Sequence, residues 1–138
     1  MHSWAAMVVL SLLGCAWLGW AALNIIALVL SPWVIGDRAA YTNGLVIVIP
    51  ERFKRQLSAD ELAAIYSHEQ GHRARAHAFR NLARSCFFIN RPAGLAMQQE
   101  HEADDYAAAR GYGPALASAL RKLSTHPFDL ARADRLSC

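Results

Sequence analysis

The sequence has only three cysteines and no charged residue before Asp37. Because Cys15, Cys86 and Cys138 form no CxxC pair and are odd in number, neither a disulfide framework nor a thiolate zinc site is indicated. A net charge of +3, with no recognisable RNA- or DNA-binding motif, gives no reason to expect nucleic acid as a partner. A chain of 138 residues leaves room for one small domain.

A largely apolar stretch covers residues 4–30, in which Asn24 is the one larger polar residue. A helix of about 20 apolar residues crosses the hydrocarbon core of a bilayer, so we expect residues 1–32 to form a transmembrane anchor. Pro32 is expected to end this helix. Residues 33–138 then form a domain near the lower size limit for a self-sufficient core.

The residues on either side of the apolar stretch bear on export and orientation. A cleaved secretory signal is the alternative to an anchor, but signals usually begin with basic residues, and Met1-His2-Ser3 has none. Lysine and arginine near a membrane end tend to stay in the cytoplasm. We therefore expect a single-pass membrane protein of the bacterial inner-membrane type with a cytoplasmic domain. The basic residues that follow the stretch are Arg38, Arg52, Lys54 and Arg55.

A turn signal and a β-branched run come next. Asn43-Gly44 is typical of a hairpin turn, and residues 45–49 end at Pro50, so the run predicts a strand paired with a shorter strand before the turn. It can simply belong to the core. The functional alternative is an edge strand to which an extended peptide substrate adds its backbone hydrogen bonds. The residues that would hold this peptide are Leu45, Val46, Ile47 and Val48.

Residues 58–84 predict one long helix. Ser58 and Glu61 fit a capping box, in which each residue bonds the backbone N–H of the other. A polar stripe on this helix consists of Arg73, His77, Arg80 and Arg84. We expect a solvated face, or, with an anchor nearby, a contact with anionic lipid headgroups. On a regular helix His77 lies out of reach of the motif described next.

The same helix contains an HExxH motif at residues 68–72. At about 100° per residue, His68 and His72 share a face, so both imidazoles can bind one Zn²⁺ while Glu69 lies beside its water. Ile65 belongs to the same face. This apolar surrounding favours a buried metal site over the alternative, a polar helix surface on which the motif arose by chance.

A third metal ligand is sought on a second helix, predicted for residues 93–110, because catalytic zinc usually has three protein ligands and one open position. Glu100 and Asp104 share a face with Ala103 and Ala107, whose small side chains would allow close packing on the first helix. We expect Glu100 to be the ligand and Asp104 to orient a ligand histidine. Asp104 is the alternative ligand. Favourable interaction with the helix dipole explains acidic residues poorly in mid-helix.

Two further segments complete the expected secondary structure. Residues 85–92 are apolar but too short to span a bilayer, so they either cap the core or dip toward the membrane surface. Pro114 begins a third helix, which is expected to end near residue 123.

A segment near the C-terminus, Ser124-Thr125-His126-Pro127, is followed by Arg132. Taken alone, His126 would be a turn residue. Together with the motif at residues 68–72 and with residues 100–104, which read EHEAD, this segment resembles the HtpX and CAAX-prenyl-protease family of gluzincin metallopeptidases. That family carries ExEAD and THP motifs in the same order, and the resemblance covers residues 41–136.

The resemblance implies zinc bound by His68, His72 and Glu100, with Glu69 as general base. It also implies that His126 stabilises the tetrahedral intermediate and that Arg132 fixes the groups around the site. The expected fold is α+β. An N-terminal transmembrane helix precedes a minigluzincin-like zincin core with a β-hairpin or edge strand and about three helices.

The expected function is hydrolysis of protein or peptide substrates by a membrane-anchored zinc metalloendopeptidase. One alternative is a membrane regulator or adaptor that keeps a structural zinc without cleaving anything, although such a site has no need of Glu69. The other is a signal-transducing protease of the BlaR type, because residues 31–36 and 88–92 also resemble that group. A single anchor without a sensor domain argues against the second alternative.

Overall fold

The computed structural model describes residues 3–35 and 38–137. Five residues that entered the expectations about the N-terminus, the charge pattern and the cysteines lie outside the described residues: Met1, His2, Gly36, Asp37 and Cys138. The described part is mostly helical and contains one small antiparallel sheet. A long apolar helix followed by a small helical domain with a hairpin agrees with the expected outline.

The helices are, in chain order, α1 Ser3–Ile35, α2 Glu51–Gln56, α3 Ala59–Ala74, α4 His77–Cys86, α5 Leu95–Ala108, α6 Gly113–Leu123 and α7 Pro127–Leu136. The strands are β1 Tyr41–Thr42 and β2 Ile47–Val48, which pair antiparallel. Within the described ranges, six helices follow the hairpin where about three were expected. The difference comes from two short helices, α2 and α7, and from a bend that divides the long predicted helix into α3 and α4.

Helix α1 is long and apolar enough to cross a membrane, a property it shares with signal sequences near an N-terminus. The prediction that Pro32 ends it is wrong, because α1 continues to Ile35. Proline lacks the N–H that would bond the carbonyl four residues earlier, here that of Leu28. That carbonyl accepts instead from Ser31 Oγ at 2.7 Å and from Asn43 Nδ2 at 3.2 Å. The helix can therefore pass through the proline.

The hairpin forms where the turn signal placed it, but β2 is shorter than the predicted strand. The Asn43 side chain accepts hydrogen bonds from the backbone N–H of Leu45 and of Val46, both at 3.0 Å. Gly44 has a φ of +90°, which a glycine adopts without strain. Leu45 and Val46 therefore belong to the turn and not to the ladder.

The predicted helix over residues 58–84 is wrong as a single element. Arg75 and Ala76 separate α3 from α4, and Ala76 has a φ of 52°. Neither residue type breaks helices by itself. Contacts of His77 with α3 and α5 hold the bend instead, as described below. The start of α3 is as predicted, since Ser58 Oγ accepts from the Glu61 N–H and Glu61 Oε2 accepts from the Ser58 N–H.

The core lies where α3 packs against α5 and α6. Its buried residues are Leu57, Ala64, Ile65, Ala107, Leu116 and Ala119. Several of these side chains are small, so the helix axes approach closely. This close approach sets the separation of the functional groups that α3 and α5 carry.

Candidate metal centre

Three residues with candidate ligand atoms come together between α3 and α5. Nε2 of His68 lies 3.1 Å from Nε2 of His72. The two Glu100 oxygens lie 3.4 Å from the first nitrogen and 3.5 Å from the second. Donors about 2.0–2.1 Å from a tetrahedral zinc stand roughly 3.3 Å apart, so the observed separations fit such an ion. The group His68, His72 and Glu100 can hold a metal, as the sequence predicted.

A glycine inside the HExxH motif allows α5 to come this close. A Cβ on Gly71 would lie 2.9 Å from the Ala103 Cα and 2.9 Å from the Tyr106 Cβ. Both Ala103 and Ala107 are fully buried, which agrees with the expected packing of small residues between the helices. The backbone contact at Gly71 therefore positions Glu100 one turn before Ala103, opposite the two histidines.

Asp104 lies behind His68, on the side away from the metal position. Its Oδ1 is 3.0 Å from His68 Nδ1, within ion-pair distance although the angle falls short of a good hydrogen bond. Arg132 donates two hydrogen bonds to the same carboxylate, from Nε at 2.8 Å and from Nη2 at 2.7 Å. Its Nη1 lies 3.1 Å from Glu100 Oε2. One guanidinium thus connects a candidate ligand with the carboxylate that faces another ligand.

The charges of this cluster shift its pKa values strongly. Burial alone would lower the pKa of His68, but the carboxylates of Asp104 and Glu100 outweigh burial and raise it to about 9. Burial alone would raise the pKa of Asp104, but Arg132 and His68 hold it at about 2. The pKa of Glu100 is likewise held well below its usual range, because the His68 and His72 contacts overcome its burial. Both carboxyls are therefore ionised and ready to face a cation.

The pKa of Glu69 is shifted in the opposite direction from those of Glu100 and Asp104. Its side chain is buried, and this burial raises the pKa of its carboxyl in spite of the nearby His68 and His72. A carboxylate with a raised pKa is a better proton acceptor near neutral pH. Glu69 also borders the cavity described below, next to the three candidate ligands.

The structure corrects the expectation that His77 lies out of reach of the site. Its Nδ1 is 2.8 Å from Nδ1 of His72, and its Nε2 is 2.9 Å from Oε2 of Glu102. The bend at Ala76 makes this possible by turning the start of α4 back toward α5. A pattern based on one regular helix could not reveal the contact. The only signal in the sequence is an additional histidine shortly after the motif.

A cavity of about 550 Å³ opens beside the metal position. Its wall includes Tyr41 and Thr42 of β1, together with Ser124. The phenolic oxygen of Tyr41 is buried and has no hydrogen-bond partner among residues 3–35 and 38–137. Buried polar atoms are nearly always paired, so this hydroxyl is a candidate donor to a bound ligand.

The predicted peptide-binding residues do not border this cavity. The wall contains residues 38–42, which include β1, and none of the residues of the turn and of β2. The predicted peptide-binding residues that lie outside the wall are Leu45, Val46, Ile47 and Val48. The sequence pattern indicated the strand that contains β2, the more apolar of the two, whereas β1 borders the cavity.

His126 also lies apart from the cavity wall. It is exposed at the N-terminal end of α7, where its Nδ1 accepts from the Phe128 N–H at 3.3 Å. The two neighbouring cavity residues from the same region are Ser124 and Asp129. The role that the resemblance implies for His126 therefore stays a prediction, whereas Arg132 lies among the groups it was expected to fix.

No protein-family model, no curated protein and no solved structure matches this chain. The chemistry of this chain is therefore inferred from its own residues. That site combines two imidazoles and a carboxylate at metal-ligand spacing with a buried carboxyl of raised pKa and an adjoining cavity.

Proposed function

We propose that this chain is a zinc-dependent metalloendopeptidase of the HtpX-like gluzincin type, anchored to a membrane by α1. The observation that carries the proposal is the spacing of His68, His72 and Glu100 with Glu69 buried beside them. Two histidines and one carboxylate leave the fourth position of a tetrahedral zinc open, which is the pattern of catalytic sites and not of structural ones.

Bound zinc would lower the pKa of a water molecule and polarise the scissile carbonyl. Glu69 is the base that accepts the proton from this water and then delivers it to the leaving amine. The raised pKa of the Glu69 carboxyl suits both transfers, because the group must first gain and then lose a proton. A regulator with a structural zinc would not require such a group.

The proton positions of the surrounding groups are consistent with neutral ligand histidines. If Nε2 of His72 faces the metal, its Nδ1–H donates to Nδ1 of His77, whose Nε2–H then donates to Glu102. Burial lowers the pKa of His77, which agrees with a neutral ring. Asp104 Oδ1 lies 3.0 Å from Nδ1 of His68, so a small realignment would let it accept from Nδ1–H in the same way. Such outer partners fix the tautomer and orientation of ligand imidazoles.

Two residues are candidates for stabilising the oxyanion that forms when water attacks the carbonyl. Tyr41 borders the cavity, and its buried hydroxyl has no hydrogen-bond partner within the described part of the chain, whereas His126 is supported by the resemblance alone. Donors of this kind matter most when they are positioned before the reaction. We assign the role to Tyr41 first, with His126 as the alternative if the loop before α7 moves when substrate binds.

An extended peptide is the substrate that fits the cavity. Both residues of β1 border it, and β2 pairs with one edge of this strand. The other edge of a strand so placed can add a peptide by backbone hydrogen bonding. This assignment moves the expected peptide contact from β2 to β1. The reaction class and the substrate class, a protein or peptide, are unchanged from the sequence expectation.

The test is cleavage of an unfolded, casein-like polypeptide by the purified full-length chain with zinc. We expect cleavage that a chelator abolishes and that added zinc restores. The metal content of the same samples is measured in parallel. A protein that binds one zinc per chain and cleaves neither this substrate nor unfolded membrane protein would support the alternative, a zinc-binding regulator or adaptor.

A further inference from the structure

The end of α4 and the following turn, residues 85–89, expose a cluster of apolar side chains. We call this segment the α4 corner. Phe87 is 62 %, Phe88 67 % and Ile89 54 % exposed. The sequence left open whether the segment caps the core or approaches the membrane, and this exposure excludes a cap. A contiguous apolar surface of this kind marks a contact with a partner or a membrane.

The α4 corner packs along the middle of α1. Trp17 Nε1 donates to the Cys86 carbonyl and Trp20 Nε1 to the Ser85 carbonyl, both at 2.9 Å. Their indole rings contact Phe87 and Phe88, with ring centroids 5.6 Å and 5.4 Å apart. The depth of the α4 corner in a bilayer is therefore set by the depth of these two tryptophans.

That depth follows from the length of α1. A hydrocarbon core needs about 20 helical residues, and every such stretch between Trp4 and Ile35 contains both Trp17 and Trp20. The part of the helix before Trp17 spans only about 20 Å at 1.5 Å per residue. If α1 crosses a bilayer, the α4 corner must therefore lie inside it.

The hydrogen bonds of the α4 corner suit an environment without water. The last carbonyls of a helix have no partners within the helix, and an unpaired backbone group in hydrocarbon costs several kcal/mol. Here the two indole N–H groups bond two such carbonyls. Ser85 Oγ donates to Asn24 Oδ1 at 2.6 Å, which pairs the polar side chain of α1 as well. The polar atoms at this contact are thus satisfied from within the protein.

Basic residues stand next to the apolar side chains. Arg84 and Arg91 line a groove together with Trp20 and Phe88. Long basic side chains next to a membrane-embedded segment extend toward the headgroups, and anionic lipids attract them. We propose that the α4 corner is embedded in the leaflet nearest the domain, with Arg84 and Arg91 on lipid phosphates.

This surface places the metal centre near the bilayer. Helix α4 is 10 residues long, about 15 Å, and its first residue, His77, contacts His72. The substrate class that fits a site so placed is polypeptide close to a membrane surface. The surface itself does not depend on proteolysis, because it rests on the contacts between α1 and α4.

The test uses the full-length chain in vesicles containing anionic lipid. Cys15 and Cys138 are replaced by serine and Cys86 by alanine, and single cysteines are then introduced for an environment-sensitive fluorophore. Phe88→Cys reports on the α4 corner, Leu12→Cys on α1 and Ala131→Cys on an exposed position of α7. Quenching by nitroxides on lipid acyl chains is compared with quenching by iodide in water.

We expect labels at positions 88 and 12 to be quenched several-fold more by the lipid nitroxide than the label at position 131, and iodide to show the reverse order. Iodide quenching at position 88 equal to that at 131, with position 12 still in lipid, would overturn the inference while keeping the anchor. Position 12 in water would overturn both. Ile89→Cys provides the same measurement if Phe88→Cys fails to fold. Cleavage of the unfolded, casein-like substrate by the same labelled proteins is measured separately. Failure of the membrane contact can then be distinguished from failure of the proposed function.

Discussion

Nδ1 of His77 lies 2.8 Å from Nδ1 of His72, although a straight helix would hold the two rings on different faces. The contact continues through His77 Nε2 to Glu102 at 2.9 Å. It gives His72 an outer partner, as Asp104 does for His68. The far nitrogen of each of these two imidazoles thus lies within about 3 Å of a group that can accept a proton.

Removal of this partner should weaken metal binding without removing a ligand. We expect His77→Ala to lower zinc affinity by about 10–100-fold, measured by competition with a chromophoric chelator. His77→Gln, which keeps a donor and an acceptor, should recover part of the loss. His101→Ala, a histidine that stacks on Phe128, is the matched control. Equal affinities for the wild type and His77→Ala would refute the orienting role.

The close approach at Gly71 predicts a packing effect on the site. Gly71→Ala should force α5 away from α3 and destabilise the protein by about 1–3 kcal/mol, measured by denaturant unfolding. Zinc affinity should fall as well, because Glu100 moves with α5. Gly14→Ala is the control, since a Cβ there meets nothing within 4 Å. A Gly71→Ala protein with wild-type stability and affinity would contradict the packing described here.

The raised pKa of His68, about 9 in the metal-free site, predicts a pH dependence of metal binding. Below this pKa the imidazole carries a proton that a metal must displace. Zinc affinity should therefore rise by about tenfold per pH unit from pH 7 and level off near pH 9. Titration with a pH-independent competitor measures this slope. A flat profile over that range would show that His68 is already neutral.

Tyr41 and His126 are the two candidate oxyanion donors, and substitutions distinguish between them. Tyr41→Phe should reduce kcat by about 10²–10³-fold, the usual cost of losing one such donor, while zinc content stays the same. His126→Ala should change kcat little, because its ring bonds the Phe128 N–H outside the cavity. Steady-state kinetics on both variants decides between them. The reverse pattern would assign the role to His126.

The parts of the site that were predictable are local in sequence. His68 and His72 are one helical turn apart, and the capping box at Ser58 is complete within four residues. Glu100 was found from the need for a third ligand and from a helix face shared with small residues. Each of these predictions uses the spacing of residues within one helix, which tertiary contacts left unchanged in α3 and α5.

The features that escaped prediction are set by contacts between distant elements. Ala76 adopts a left-handed conformation because His77 bonds His72 and Glu102, and nothing in the local sequence marks a bend there. Pro32 stays inside α1 because Asn43, from the hairpin, reaches the carbonyl that the proline frees. The strand that contributes to the cavity wall is β1, whose two residues are too few to give a strand pattern.

Hydrolysis by this chain should depend on Glu69, and the most direct measurement compares wild type with Glu69→Gln at equal zinc content. The variant should bind one zinc per chain with near wild-type affinity, because Glu69 is not among the three ligand residues. It should cleave the unfolded substrate at least about 10²-fold more slowly. Cleavage by Glu69→Gln at the wild-type rate would show that Glu69 is not the general base.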